Sequence, residues 1–157
     1  NIKLIFVGGS DKYLEQFIEY VQDSPERNRI KIVPHIPKKE LLQYIEIADV
    51  LVLPNSAKAK MSLYTSPIKL FEYMASKRPI IASGLKSIKE VLTDKENALL
   101  FEPDNKEELA KKIKEAISGD CSVIVDKAFE DAKSYTWNIR AKRIVNFINK
   151  IDTTWLF

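Results

Sequence analysis

Short apolar runs alternate along the chain with longer stretches whose apolar residues recur every three or four positions, and that alternation sets the expected fold. Residues 3–7 form the first run and end in Gly8-Gly9-Ser10, after which Leu14, Phe17, Ile18 and Val21 share one helical face. The second run, 30–33, is closed by Pro34-His35-Ile36-Pro37, whose two prolines fix an extended loop. Residues 38–48 then read as a helix with Leu41, Leu42, Ile45 and Ala48 inward, and 49–54 as a strand. Its unbroken apolar run suits a parallel sheet covered on both faces. Residues 55–65 are polar, carry lysines and lack any apolar period, so they are expected as a loop over the strand's carboxyl end, where open α/β sheets bind ligands.

The second half repeats the alternation. A helix is expected from Ser66, then a strand over 78–83 ending at Gly84, a short helix over 87–92 and a fifth strand over 97–101. Asp104 or Asn105 caps a further helix with Leu109, Ile113 and Ile117 inward, and Gly119 stops it. Two more helices, 123–133 and 137–148, form a tail in which Thr136 is the cap and Trp137 a packing anchor. Strands separated by helices imply a parallel sheet with right-handed crossovers, an α/β fold. The chain is read as a single domain, 1–157, with its core over 1–117 and the helical tail over 118–157.

The stretch around Ser66 carries the chemistry. Ser66 caps the helix and Pro67 fits its first turn, Leu70, Phe71 and Met74 make the apolar stripe, and Lys69 and Glu72 stand three apart on a neighbouring face. A helix amino end offers unpaired N–H groups and partial positive charge to an anion, and Lys69 adds a full charge beside it. Glu72 presents two acceptor oxygens one turn deeper, suited to the paired hydroxyls of a ribose. The same residues also make ordinary helix punctuation with a solvated ion pair. Gly8 and Gly9 let backbone approach a ligand closely, or merely make a tight turn. His35, the chain's only histidine, has no visible partner and is read as a loop residue rather than a general base.

The run Ser66-Pro-Ile-Lys-Leu-Phe-Glu-Tyr-Met-Ala-Ser-Lys-Arg-Pro-Ile-Ile-Ala-Ser83 resembles the nucleotide-sugar signature of group 1 (family four) glycosyltransferases. The likeness extends through Ala48-Asp-Val50, Asn97-Ala-Leu-Leu100, the Pro103-Asp104 loop and the Trp137 helix. It implies a Rossmann-like, doubly wound sheet and the second, donor-binding domain of the two-domain GT-B fold, beginning at that domain's second strand. The family's preceding strand, whose Arg and Lys help neutralise the donor diphosphate, has no counterpart here. Closing over that gap gives five strands in the order 2-1-3-4-5, the expected outcome; if the gap stays open, the missing strand must come from elsewhere, because an unpaired central edge leaves backbone groups unsatisfied.

The resemblance further implies a retaining, metal-independent transfer without a cofactor, from a UDP- or GDP-type sugar to a glycan, polysaccharide or lipid acceptor. In that reading Gly8, Gly9, Thr65 and Ser66 meet the diphosphate, Lys69 adds charge, Ile36 flanks the base and Glu72 holds the ribose. No residue is assigned as a catalytic acid or base. Tyr64 stands where the family commonly has a Glu that touches the donor sugar, so the sugar is not readable. The missing amino-terminal GT-B domain is an expected partner, and this part alone is expected to transfer little. Two rivals remain: a nucleotide-sugar epimerase of the same fold, and a non-catalytic interaction module.

Composition narrows the setting. At 157 residues, 45% hydrophobic and 30% charged, the chain is long enough for a disulfide-free core. Its formal charge of +3 permits anionic ligands and a loose touch on an acidic membrane surface, but lysines and glutamates interspersed throughout make no nucleic-acid footprint. One cysteine suits a reducing compartment, no run is long enough to span a bilayer, and Asn1-Ile-Lys3 does not open a signal peptide. A cytoplasmic setting is expected, with any membrane association made through the missing half.

Overall fold

The computed structural model describes residues 2–9, 11–58 and 68–150. Its elements follow the expected alternation: β1 (Leu4–Val7), α1 (Asp11–Gln22), β2 (Ile30–Val33), α2 (Lys38–Ile47), β3 (Leu51–Leu53), α3 (Ile68–Ala75), β4 (Ile80–Ser83), α4 (Lys86–Lys89), β5 (Leu99–Phe101), α5 (Lys106–Ser118), α6 (Ser122–Ala132) and α7 (Trp137–Lys150). All strand pairs are parallel. The chain divides into two compact units, Asn1–Ile47 and Ala48–Phe157.

In the second unit β3, β4 and β5 form one sheet, with Leu53 opposite Ala82 and Ser83 opposite Phe101. Side chains alternate across it. Leu53, Ile80, Ala82 and Leu100 join Leu70 and Met74 of α3, Ile88 of α4 and Ala128 of α6 in one core. Ile81, Leu99 and Phe101 point the other way, onto Ala116 of α5. Both faces are therefore covered, and every residue of β4 is buried. Asn105 is the residue that caps α5, its Oδ1 accepting the Glu108 N–H at 2.9 Å. The buried Lys112 ammonium lies 3.4 Å from Asp94 Oδ1, so it does not sit in apolar surroundings without a counter-charge.

In the first unit β1 pairs with β2, Leu4 opposite Ile30 and Val7 opposite Val33, and the Gly8 N–H extends the ladder to the Val33 carbonyl at 3.0 Å. Phe6 meets Phe17 of α1 edge-to-face, with ring centroids 4.8 Å apart.

Within each unit the strand neighbours are those of the expected order 2-1-3-4-5, β1 beside β2 in the first and β3-β4-β5 in the second. One expectation needs correction. Trp137 is not a packing anchor among the described residues: it is 78% exposed, with the Arg140 guanidinium 5.6 Å from its ring. A large aromatic side chain has the apolar area that burial requires, which does not guarantee a partner to cover it.

Candidate functional site

Helix α3 is placed by what it buries. Leu70 and Met74 sit four apart on one face and are at most 1% exposed, locking the helix onto the sheet. Lys69 and Glu72 then fall on the opposite side, about 60° apart around the axis at 3.6 residues per turn. Lys69 is exposed and Glu72 half-buried; neither belongs to the packed core. Because β3 and β4 are parallel neighbours, the helix joining them must run back against them. Its amino end therefore stands at the strands' carboxyl side, and Glu72 lies about 6 Å further along the axis.

Neighbours hold the helix in that register. Phe71 packs on Tyr135 with ring centroids 5.0 Å apart. The Ser76 hydroxyl donates to the Tyr73 carbonyl at 2.7 Å, and Lys77, at φ +56°, ends the helix with its ammonium 4.5 Å from the Phe129 ring. Burial raises the Tyr73 hydroxyl above the ordinary phenol range, and the Glu72 carboxylate beside it raises it further. Thr65 and Ser66, expected at the diphosphate, lie outside the described residues, as does the expected helix start.

The candidates of the first unit are Gly8, Gly9 and Ile36. Gly8 and Gly9 adopt φ of +106° and +118°, which side chains disfavour, so the turn after β1 requires glycine. A Cβ on Gly8 would meet nothing within 4 Å, whereas one on Gly9 would touch Leu14 at 3.5 Å. Gly8 thus presents open backbone and lines, with Phe17 and Ile32 among others, a hollow of about 310 Å³. Ile36 is half-buried and His35 exposed in the loop before α2. A larger hollow of about 410 Å³, lined by Ile18, Val21, Arg27 and Ile30, contains none of the expected site residues.

Among the described residues no three of His, Cys, Asp and Glu converge as a metal site, and no helix is long and apolar enough to cross a membrane. One further group, a candidate helix cap from its sequence alone, has a different partner. Asp104, at φ +65° after β5, accepts the Ala57 N–H at 3.1 Å and so ties the exit of β5 to the exit of β3. The signal was available in Pro103-Asp-Asn105: one of the two polar residues caps the helix, which leaves the other carboxylate or amide for a different partner.

Solved structures share the fold. The structure of a sucrose-phosphate synthase from Thermosynechococcus elongatus superposes with a TM-score of 0.79 at 22% identity, covering 95% of this chain and 38% of that one. Anabaena HepE in complex with UDP gives 0.78 at 18% identity, over 96% of this chain and 41% of its own. In sequence, the amylovoran biosynthesis glycosyltransferase AmsK of Erwinia amylovora is 24% identical over 104 residues, 66% of this chain and 26% of AmsK. The chain thus spans well under half the length of these relatives. Residues 1–119 match the family model described as glycosyl transferases group 1, and the chain belongs to that family.

Proposed function

We propose that this chain supplies the nucleotide-diphosphate-sugar site of a retaining, metal-independent glycosyltransferase acting on a glycan or lipid acceptor. The observation that carries this reading is the face of α3 opposite Leu70 and Met74, where Lys69 and Glu72 stand together on a helix whose amino end is at the sheet's carboxyl side. The UDP complex of the similar Anabaena protein supports a nucleotide as the ligand class. Lys69 and the first-turn N–H groups stabilise the diphosphate, on which charge builds as the glycosidic bond breaks. Glu72 accepts from the ribose hydroxyls and fixes the donor's orientation, so that catalysis comes from placement and electrostatics. With the chain spanning 38–41% of the similar structures, transfer itself is assigned to a longer polypeptide.

Calorimetry with UDP and GDP tests the site. The wild-type chain is expected to bind one of them, and Glu72→Ala to weaken binding by about 10- to 100-fold, the worth of hydrogen bonds to a charged group. Equal affinity in the two proteins, or no binding by either, removes the site. Gly8→Val and Ile36→Ala, titrated separately, test whether the first unit's candidates contact nucleotide at all.

A further inference from the structure

Lys89 ends α4 and folds back over the residue that follows β4. That residue, Gly84, has an ordinary backbone rather than the left-handed one of Gly8 and Gly9, so its conformation does not call for glycine. The space above it does. A Cβ on Gly84 would lie 2.9 Å from Lys89 Cε, 3.3 Å from Lys89 Nζ and 3.3 Å from the Phe101 carbonyl, so the lysine would have to move. Glycine thus leaves room for a lysine stem to lie across the end of the strand. The root of that stem is fixed, because Ile88 beside it is fully buried and the Lys89 N–H donates to the Leu85 carbonyl at 2.9 Å. Its ammonium is exposed and makes no ion pair or hydrogen bond among the described residues.

The charge stands at the carboxyl side of β4, the middle strand of its sheet and the one into which α3 leads. Leu70 and Met74 of α3 share one core with Ile88 of α4, so both helices lie on the same face of the sheet. The amino end of α3 is at that same carboxyl side, above β3 and β4, whose exits are one strand spacing, about 4.8 Å, apart. A flexible four-carbon stem spans such a step. A nucleoside diphosphate carries more negative charge than Lys69 and one helix amino end balance. We infer that Lys89 is a second lysine of the nucleotide site, reaching from the exit of β4 to the donor's diphosphate and offsetting the charge that Lys69 leaves uncompensated. This rests on reading α3 as the nucleotide site.

Calorimetry with UDP and GDP at low and high salt tests this in wild type, Lys89→Met, Lys89→Arg and Gly84→Ala. Lys89→Met keeps the stem and removes the charge. At low salt it is expected to raise the Kd of the nucleotide that the wild type binds by about 5- to 10-fold, the scale of a charge-assisted hydrogen bond discounted for exposure. Near 1 M salt, where screening acts within about 3 Å, the difference is expected to shrink to about twofold. Lys89→Arg keeps the charge and is expected to stay within about threefold of wild type. Gly84→Ala crowds the lysine without removing it, so it weakens binding by a smaller factor and adds nothing when combined with Lys89→Met. Unchanged affinity in Lys89→Met overturns the inference and leaves the nucleotide site standing. A loss in Lys89→Met that is as large at high salt as at low, or that Lys89→Arg shares in full, is not a charge effect and also overturns it. Failure of the wild-type chain to bind UDP or GDP overturns the nucleotide site itself, and this role with it.

Discussion

Strands β1 and β4 read almost alike in sequence, Leu-Ile-Phe-Val against Ile-Ile-Ala-Ser, and end in very different surroundings. In β4 every residue is buried, with Ile80 and Ala82 against α3 and α4 on one face and Ile81 against α5 on the other. In β1, Leu4, Ile5 and Phe6 remain 39%, 45% and 39% exposed. An apolar run reports the capacity for burial. Burial itself depends on whether other elements arrive to cover the run, and within its own unit and among the described residues β4 has neighbouring strands at both edges while β1 has β2 at one. The hydrophobic contribution to stability, proportional to area removed from water, is thus concentrated in the second unit.

The same substitution made in both strands sharpens this contrast most. Ile81 is fully buried, so Ile81→Ala removes about 3–4 kcal/mol through lost transfer energy and the cavity left behind. Ile5→Ala, at a site nearly half exposed, is expected to cost about 1 kcal/mol. Urea unfolding followed by amide exchange at each strand reads both. β1 amides should exchange through smaller openings than those of β4, because protection follows buried contact. Equal costs would mean that β1 is covered in solution to the extent β4 is here.

A buried polar link gives the next effect. Asn97 is 5% exposed; its Oδ1 accepts the Thr93 N–H at 2.8 Å, and its Nδ2 donates to the Val91 carbonyl at 3.2 Å and to Asp131 Oδ2 at 2.9 Å. It therefore joins the turn before β5 to α6. Asn97→Ala leaves all three partners unmatched and is expected to cost about 2 kcal/mol. Asp131 gives the link a pH signature. The Lys127 ammonium, 2.7 Å away, and then the Asn97 amide hold its carboxyl below the ordinary carboxylate range. A carboxyl with a depressed folded-state pKa contributes stability that is present above its unfolded value of about 3.9 and lost as pH falls through the folded value. Chemical unfolding from pH 6 downward should show the wild type losing this increment, while Asp131→Asn starts less stable and lacks it. Parallel curves would remove the link.

Legibility followed locality. The cap at Thr136, the narrowing of the α5 cap to Asp104 or Asn105, the inward Leu70 and Met74, and the run of alternating strands and helices depend on residues a few positions apart, and all were readable. So was the grouping of Lys69 with Glu72, since helical spacing alone fixes it. What the sequence did not disclose depends on distant partners: the exposure of Trp137 and the 47-residue reach from Asp104 to Ala57. The family resemblance supplied the nucleotide reading, because a lysine and a glutamate on one helix face have many uses in physics alone.

The smallest expected effect turns on backbone conformation and again sets one unit against the other. Lys95, in the turn before β5, is held at φ +63°, where a side chain's Cβ crowds the following carbonyl, and its N–H donates to the Ala98 carbonyl at 2.8 Å. Lys95→Gly relieves about 1 kcal/mol of that crowding but loosens the unfolded chain by about half as much, so a net gain of about 0.5 kcal/mol is expected. Gly8→Ala runs in the opposite direction. At φ +106° an alanine is strained, and since its Cβ would meet nothing within 4 Å, the whole cost of about 1–2 kcal/mol is backbone strain rather than a clash. Paired thermal melts should therefore move apart in sign. If Gly8→Ala leaves the melt unchanged, the turn after β1 relaxes without penalty, and the thinly covered first unit holds its backbone less firmly than the second holds Lys95.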